Sequence, residues 1–149
     1  MSRTYIPAKL RRQVIARAEG LCEYCLFPSE DAYFGCAIDH IISEKHGGAT
    51  ASDNLAYSCL YCNLAKGSDL GSLDPESHEL VRFFDPRRDR WAEHFRLAED
   101  LRIDPHTAIG AVTVKILGFN RNERLLERQV LAEEGRYPSA AAKRHLAPS

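Results

Sequence analysis

Two Cys-x-x-Cys pairs, Cys22/Cys25 and Cys59/Cys62, constrain this chain more than any other feature. Two-residue spacing lets one turn present both sulfurs to one ion, and two pairs far apart in sequence clamp distant segments together. A redox dithiol needs only one pair, and an iron–sulfur centre or chance spacing is the weaker account. The start of the chain lacks the apolar core of a secretory signal, so the thiols read as metal ligands before disulfides. The pattern therefore predicts a closed, tetrahedral Zn²⁺ site with a structural role, because four thiolates leave no position open for chemistry. Cys36 stands alone and is expected as a buried strand residue.

At 149 residues the chain suits one compact unit. No apolar run approaches the ~20 residues that span a bilayer, so no membrane association and a cytoplasmic location are expected. The net charge of −1 does not advertise a polyanionic partner, but its distribution is uneven. Residues 1–20 and 81–96 are basic, whereas residues 21–80, which hold all five cysteines, carry ten acidic and two basic side chains. Any phosphate bound near the cysteines must therefore be met from the basic flanks.

Leu10, Val14, Ile15 and Ala18 share one face of a helix expected over 7–20, with Pro7 at its start and Gly20 at its stop. Cys22 and Cys25 then lie on a tight turn, and 27–33 is loop-like. A short strand is expected over 33–38, ending at Asp39 and His40. A reversal follows at Gly47-Gly48, a returning strand over 54–57, and a helix from Cys59 to about Lys66 closed by Gly67. Further on, 67–76 is expected as a linker, 75–84 as a helix, 90–95 as a strand, and 107–117 and 121–134 as two helices. The last dozen residues are expected to fray.

Between the cysteine pairs stand Asp39-His40-Ile41-Ile42, His46-Gly47-Gly48 and Asn54-Leu55; Asn63-x-x-Lys66-Gly67 follows Cys62 directly. This succession resembles the HNH endonucleases with a ββα-metal core and a four-cysteine zinc site, over residues 7–68. The resemblance makes His40, Asn54 and Asn63 the three motif positions, with asparagine at 63 where some members carry histidine. Phe83-Phe84-Asp85-Pro86-Arg87, Trp91-x-Glu93-His94-Phe95 and Ile109-Gly110 also resemble an extension found in a bacterial subset of that family. The fold implied is α+β: a zinc-stabilised ββα-metal core with its preceding helix over 1–75, and an α/β extension over 76–149 packed on it.

The residue types suit phosphodiester hydrolysis on chemical grounds as well. A histidine that is neutral near pH 7 can take a proton from water, and hard oxygen donors suit Mg²⁺ or Mn²⁺. By the resemblance, His40 is the general base, and Asp39 and Asn63 hold the catalytic divalent ion. Asn54 orients the imidazole or braces the loop carrying it. Lys66, Arg87 and Arg88 are the expected phosphate contacts, and the expected partner is nucleic acid, DNA in particular. His46 and the remaining histidines read as ordinary loop or surface residues, and Trp91 and Phe95 as core. Neighbours on a regular strand face opposite ways, so Asp39 and His40 can share a phosphate only if the strand ends or distorts there. The rival expectation is a non-catalytic, zinc-stabilised module that binds nucleic acid or protein. It needs the four cysteines but not Asp39, His40 and Asn63 together.

Overall fold

A computed structural model describes residues 4–147; residues 1–3 and 148–149, which include the first basic residue and the end of the expected tail, lie outside the described residues. Helix α1 spans Ala8–Ala18, with Pro7 extended ahead of it and Glu19 in the left-handed region behind it. Val14 and Ala18 are buried, Leu10 is half-buried, and Ile15, expected on the same face, is exposed. Val14 joins Ile6 and Leu55 in a small apolar cluster against the first sheet. Arg17 stitches the helix to that sheet by donating to Ser52 Oγ (2.8 Å) and to the carbonyls of Ser52 and Leu55, each at 2.6 Å.

Strand β1 (Cys36–His40) pairs antiparallel with β2 (Leu55–Cys59), in a register that sets Cys36 opposite Cys59 and His40 opposite Leu55. The strand begins later than expected: Tyr33 and Phe34 lie outside it and are exposed. Helix α2 (Leu60–Lys66) follows β2 without a connecting loop. These three elements form a zinc-type ββα unit, and the whole is α+β.

The C-terminal half departs from expectation in three places. Residues 71–82 form a hairpin, β3 (Gly71–Leu73) with β4 (Leu80–Arg82), instead of a linker and a helix. Its turn is set by Asp74, whose Oδ2 accepts from the Ser77 amide (3.1 Å) and hydroxyl (2.8 Å). Side chains of this kind compete with helical backbone bonding. Residues 91–94 form a single helical turn, α3 (Trp91–His94), before strand β5 (Phe95–Leu97). The four-residue spacing of Trp91 and Phe95 fits either period, and the stacking of the two rings, 4.9 Å between centroids, decides for the turn. Among the described residues of the tail expected to fray, Ser139 caps a helix α6 (Ala140–Leu146) by accepting from the Ala142 amide, and Ala142 is fully buried, beside buried Tyr137 just ahead of it.

Strand β6 (Ile103–Pro105) pairs with β5. Helices α4 (Ala108–Leu117) and α5 (Asn122–Glu133) follow as expected, α4 capped by the Thr107 hydroxyl and closed by left-handed Gly118. One apolar cluster runs from the cysteines through Phe84, Trp91, Phe95 and Phe119 to Tyr137 and Ala142. The Trp91 indole donates to the Tyr24 carbonyl (2.8 Å), and the Tyr137 hydroxyl to the Cys25 carbonyl (3.3 Å), so the C-terminal half grips the first cysteine turn at two points.

Gly110 lets α4 lie directly on the 94–105 segment, since a Cβ there would stand 2.2 Å from the His94 carbonyl oxygen. Gly110→Ala is expected to cost about 1–3 kcal/mol through overpacking. Urea unfolding followed by Trp91 fluorescence reads this, and an unchanged midpoint would refute the close approach.

Candidate metal centre and adjoining cleft

The turn after α1 is held by Cys22 N donating to the Phe27 carbonyl and Leu26 N donating to the Cys22 carbonyl, each at 2.9 Å. It points Cys22 and Cys25 toward the β2–α2 junction, where Cys59 ends the strand and Cys62 lies in the first helical turn. All four side chains are buried, and their sulfurs lie within 4.8 Å of one another. Cys25 Sγ is 3.8 Å from Cys59 Sγ. Two Zn–S bonds of ~2.3 Å at the tetrahedral angle require about that separation, so the donor set fits a zinc-sized ion.

Burial pushes the Cys22 and Cys62 thiols well above their usual range, while hydrogen bonding from the other three cysteines pulls Cys25 well below it. Four thiolates together therefore need a cation to hold them. Cys36 sits half-buried on β1, outside the cluster, with its thiol pushed up to about 12 by burial.

One side chain at this centre escaped the sequence reading. Arg124 of α5, 4% exposed, donates from Nη2 to Cys62 Sγ (3.1 Å) and Cys59 Sγ (3.7 Å), and from Nη1 to the Leu117 carbonyl (2.6 Å). Its signal was present: Arg124, Arg128 and Leu131 fall on one helical face, and all three are buried.

A cleft of about 360 Å³ adjoins the ββα unit, lined by Asp39, His40, Asn63, Ser43, Glu44 and Lys45 among others. Asp39 and His40, the last two residues of β1, both line it. His40 is 4% exposed, and its Nε2 is paired with the Thr50 hydroxyl at 2.9 Å. The side-chain hydrogen bonds of Asn54 go to backbone and not to the imidazole. Its Oδ1 accepts from the Ile42 amide, and its Nδ2 donates to the carbonyls of Ile42 and Ala49, all at 2.9 Å. It braces the loop over 42–49 that returns behind His40. Gly48 completes that brace, since a Cβ there would lie 1.7 Å from the Ile42 carbonyl oxygen.

None of the three residues expected to contact phosphate lines this cleft. Lys66 is 2% exposed and turned inward, its Nζ donating to the His40 carbonyl (3.0 Å) and pairing with Asp39 Oδ2 (3.3 Å). A helical residue at this position points back at β1 and is taken up neutralising Asp39. Arg87 pairs with Glu23 on the first cysteine turn and lines a different concavity, and Arg88 is exposed and outside the cleft. The loop residue His46 is exposed.

Residues 22–69 match the family model described as HNH endonuclease. Comparison with curated proteins and with solved structures gives no match. No helix among the described residues is long and apolar enough to cross a membrane.

Two substitutions separate the centre from the cleft. Cys59→Ser is expected to abolish metal retention and unfold the protein, read by elemental analysis and circular dichroism. Asn54→Ala strands the Ile42 amide and two carbonyls and is expected to cost about 2–3 kcal/mol while metal content is kept. Chemical denaturation with the metal bound checks it, and wild-type stability would show that the brace contributes nothing.

Proposed function

We propose that this chain, whose residues 22–69 carry the HNH endonuclease signature, is a metal-dependent endonuclease that hydrolyses phosphodiester bonds in DNA. The observation that carries the proposal is the meeting of Asp39, His40 and Asn63 around one cleft beside the four-cysteine cluster. Zn²⁺ is the ion assigned to Cys22, Cys25, Cys59 and Cys62, with a structural role, because a closed thiolate shell offers no exchangeable position.

The work at the cleft divides among the chain's own residues. His40 takes a proton from water. Its Nε2 is paired with the Thr50 hydroxyl, and the base role requires the tautomer in which Nε2 donates there and Nδ1 accepts. Asn54 fixes the loop behind the imidazole. Asp39 and Asn63 offer a carboxylate and an amide oxygen, the hard donors that suit Mg²⁺ or Mn²⁺. Such an ion, when bound there, supplies charge neutralisation at the phosphoryl and leaving oxygens. Lys66 holds Asp39 in place and balances its charge until substrate and ion arrive. Asp39 and Glu44, two of the ten carboxylates of the middle segment, line the cleft and favour a cation there.

The experiment is plasmid nicking. Supercoiled plasmid with Mg²⁺ or Mn²⁺ is expected to be nicked by the wild type. His40→Ala is expected to fall by about 10²–10⁴-fold while remaining folded. Thr50→Val, which frees the imidazole to rotate, is expected to lose less. Binding of the plasmid without cleavage under every divalent ion would defeat the enzyme reading and support a non-catalytic zinc module.

A further inference from the structure

The cysteine centre is surrounded by buried positive charge that the hydrolytic reading does not use. Arg124 and Arg128 lie one turn apart on α5, 4% and 1% exposed, and among the described residues neither makes an ion pair with a carboxylate. Arg124 bonds the sulfurs of Cys62 and Cys59, and its guanidinium lies 5.3 Å from the Tyr61 ring centroid and 5.7 Å from that of Phe119. Arg128 is held by the carbonyls of Leu101 (2.9 Å) and Phe119 (2.8 Å) and by Asn120 Oδ1 (3.0 Å). Both arginines and the cysteines at 25 and 59 line one small cavity of about 100 Å³. The one carboxylate that lines it, Glu127, accepts the Tyr61 hydroxyl.

A buried guanidinium without a counter-charge is strongly destabilising. Four thiolates around a divalent ion retain two negative charges, and two arginines match them. We propose that Arg124 and Arg128 are the counter-charge of the metal centre, so that the C-terminal extension is a working part of the site. Arg124 neutralises the sulfurs directly through N–H···S bonds, and Arg128 sets the field behind it. Thiolates bonded in this way are weaker nucleophiles and hold their ion longer against electrophiles and chelators.

The test uses intact zinc-loaded protein and follows zinc passing to a chromogenic chelator while iodoacetamide alkylates the released thiols. Arg124→Met is expected to release zinc about tenfold faster than wild type or more, Arg128→Met less so, and Arg124→Lys to fall between Met and wild type. Wild-type rates in both methionine variants would overturn the proposal, as would a wild-type protein that holds no zinc. If Arg124→Met does not fold, Arg124→Lys decides. A folded, zinc-retaining lysine variant supports the charge requirement, and a lysine variant that also fails overturns it. His40→Ala, without activity if the nuclease reading is right, is expected to release zinc at the wild-type rate. A failure of the counter-charge is thereby separated from a failure of the nuclease assignment.

Discussion

Convergence of four buried cysteine sulfurs is the constraint on which the remainder of this structure rests. The chain between Cys25 and Cys59 contains one two-stranded sheet and three short turns, too little apolar surface to fix its own geometry. An ion at the sulfurs joins the first turn to the junction of β2 and α2, and the hairpin is held because both its flanks are. The large apolar cluster then grows outward from the cysteines, so the site is also the seed of the core.

From that anchor the cleft follows by short steps. Fixing α2 against β1 aims Lys66 at Asp39 and at the His40 carbonyl. Pairing of β1 with β2 brings Asn54 under the 42–49 loop, where three hydrogen bonds make a rigid return out of a polar segment. His40 comes to rest with one ring nitrogen engaged and little freedom to turn. The polar groups of the cleft are thus positioned by backbone and by one another, which is what preorganised acid–base chemistry needs.

Sequence reading recovered the elements whose signals are local. Helices α1 and α4 have apolar residues at helical spacing, all three long helices including α5 were legible in extent, and the ββα order was legible from the cysteines and the glycine pair. It failed where two periods coincide or where side chains set the backbone. Trp91 and Phe95 suit both a strand and a turn, Asp74 and Ser77 build a hairpin turn in a stretch that could be helical, and Ser139 nucleates a helix in a tail of small residues. Nor does charge on the chain say which carboxylate will capture Lys66 or Arg87. Lys66 is held by Asp39 and Arg87 by Glu23.

The sequence by itself determined the donor set, the spacing that lets each cysteine pair share an ion, and the identity of the groups at positions 39, 40, 54 and 63. These are properties of residue type and near-neighbour order, which hold before any folding. Only the tertiary structure decided that Asp39, His40 and Asn63 line one cleft, that Asn54 is bonded to the 42–49 loop, and that Arg124, more than sixty positions beyond Cys62, bonds the cysteine sulfurs. Those outcomes depend on long-range packing. A buried cation finds its counter-charge wherever the fold places it, and sequence distance carries no information about that distance in space.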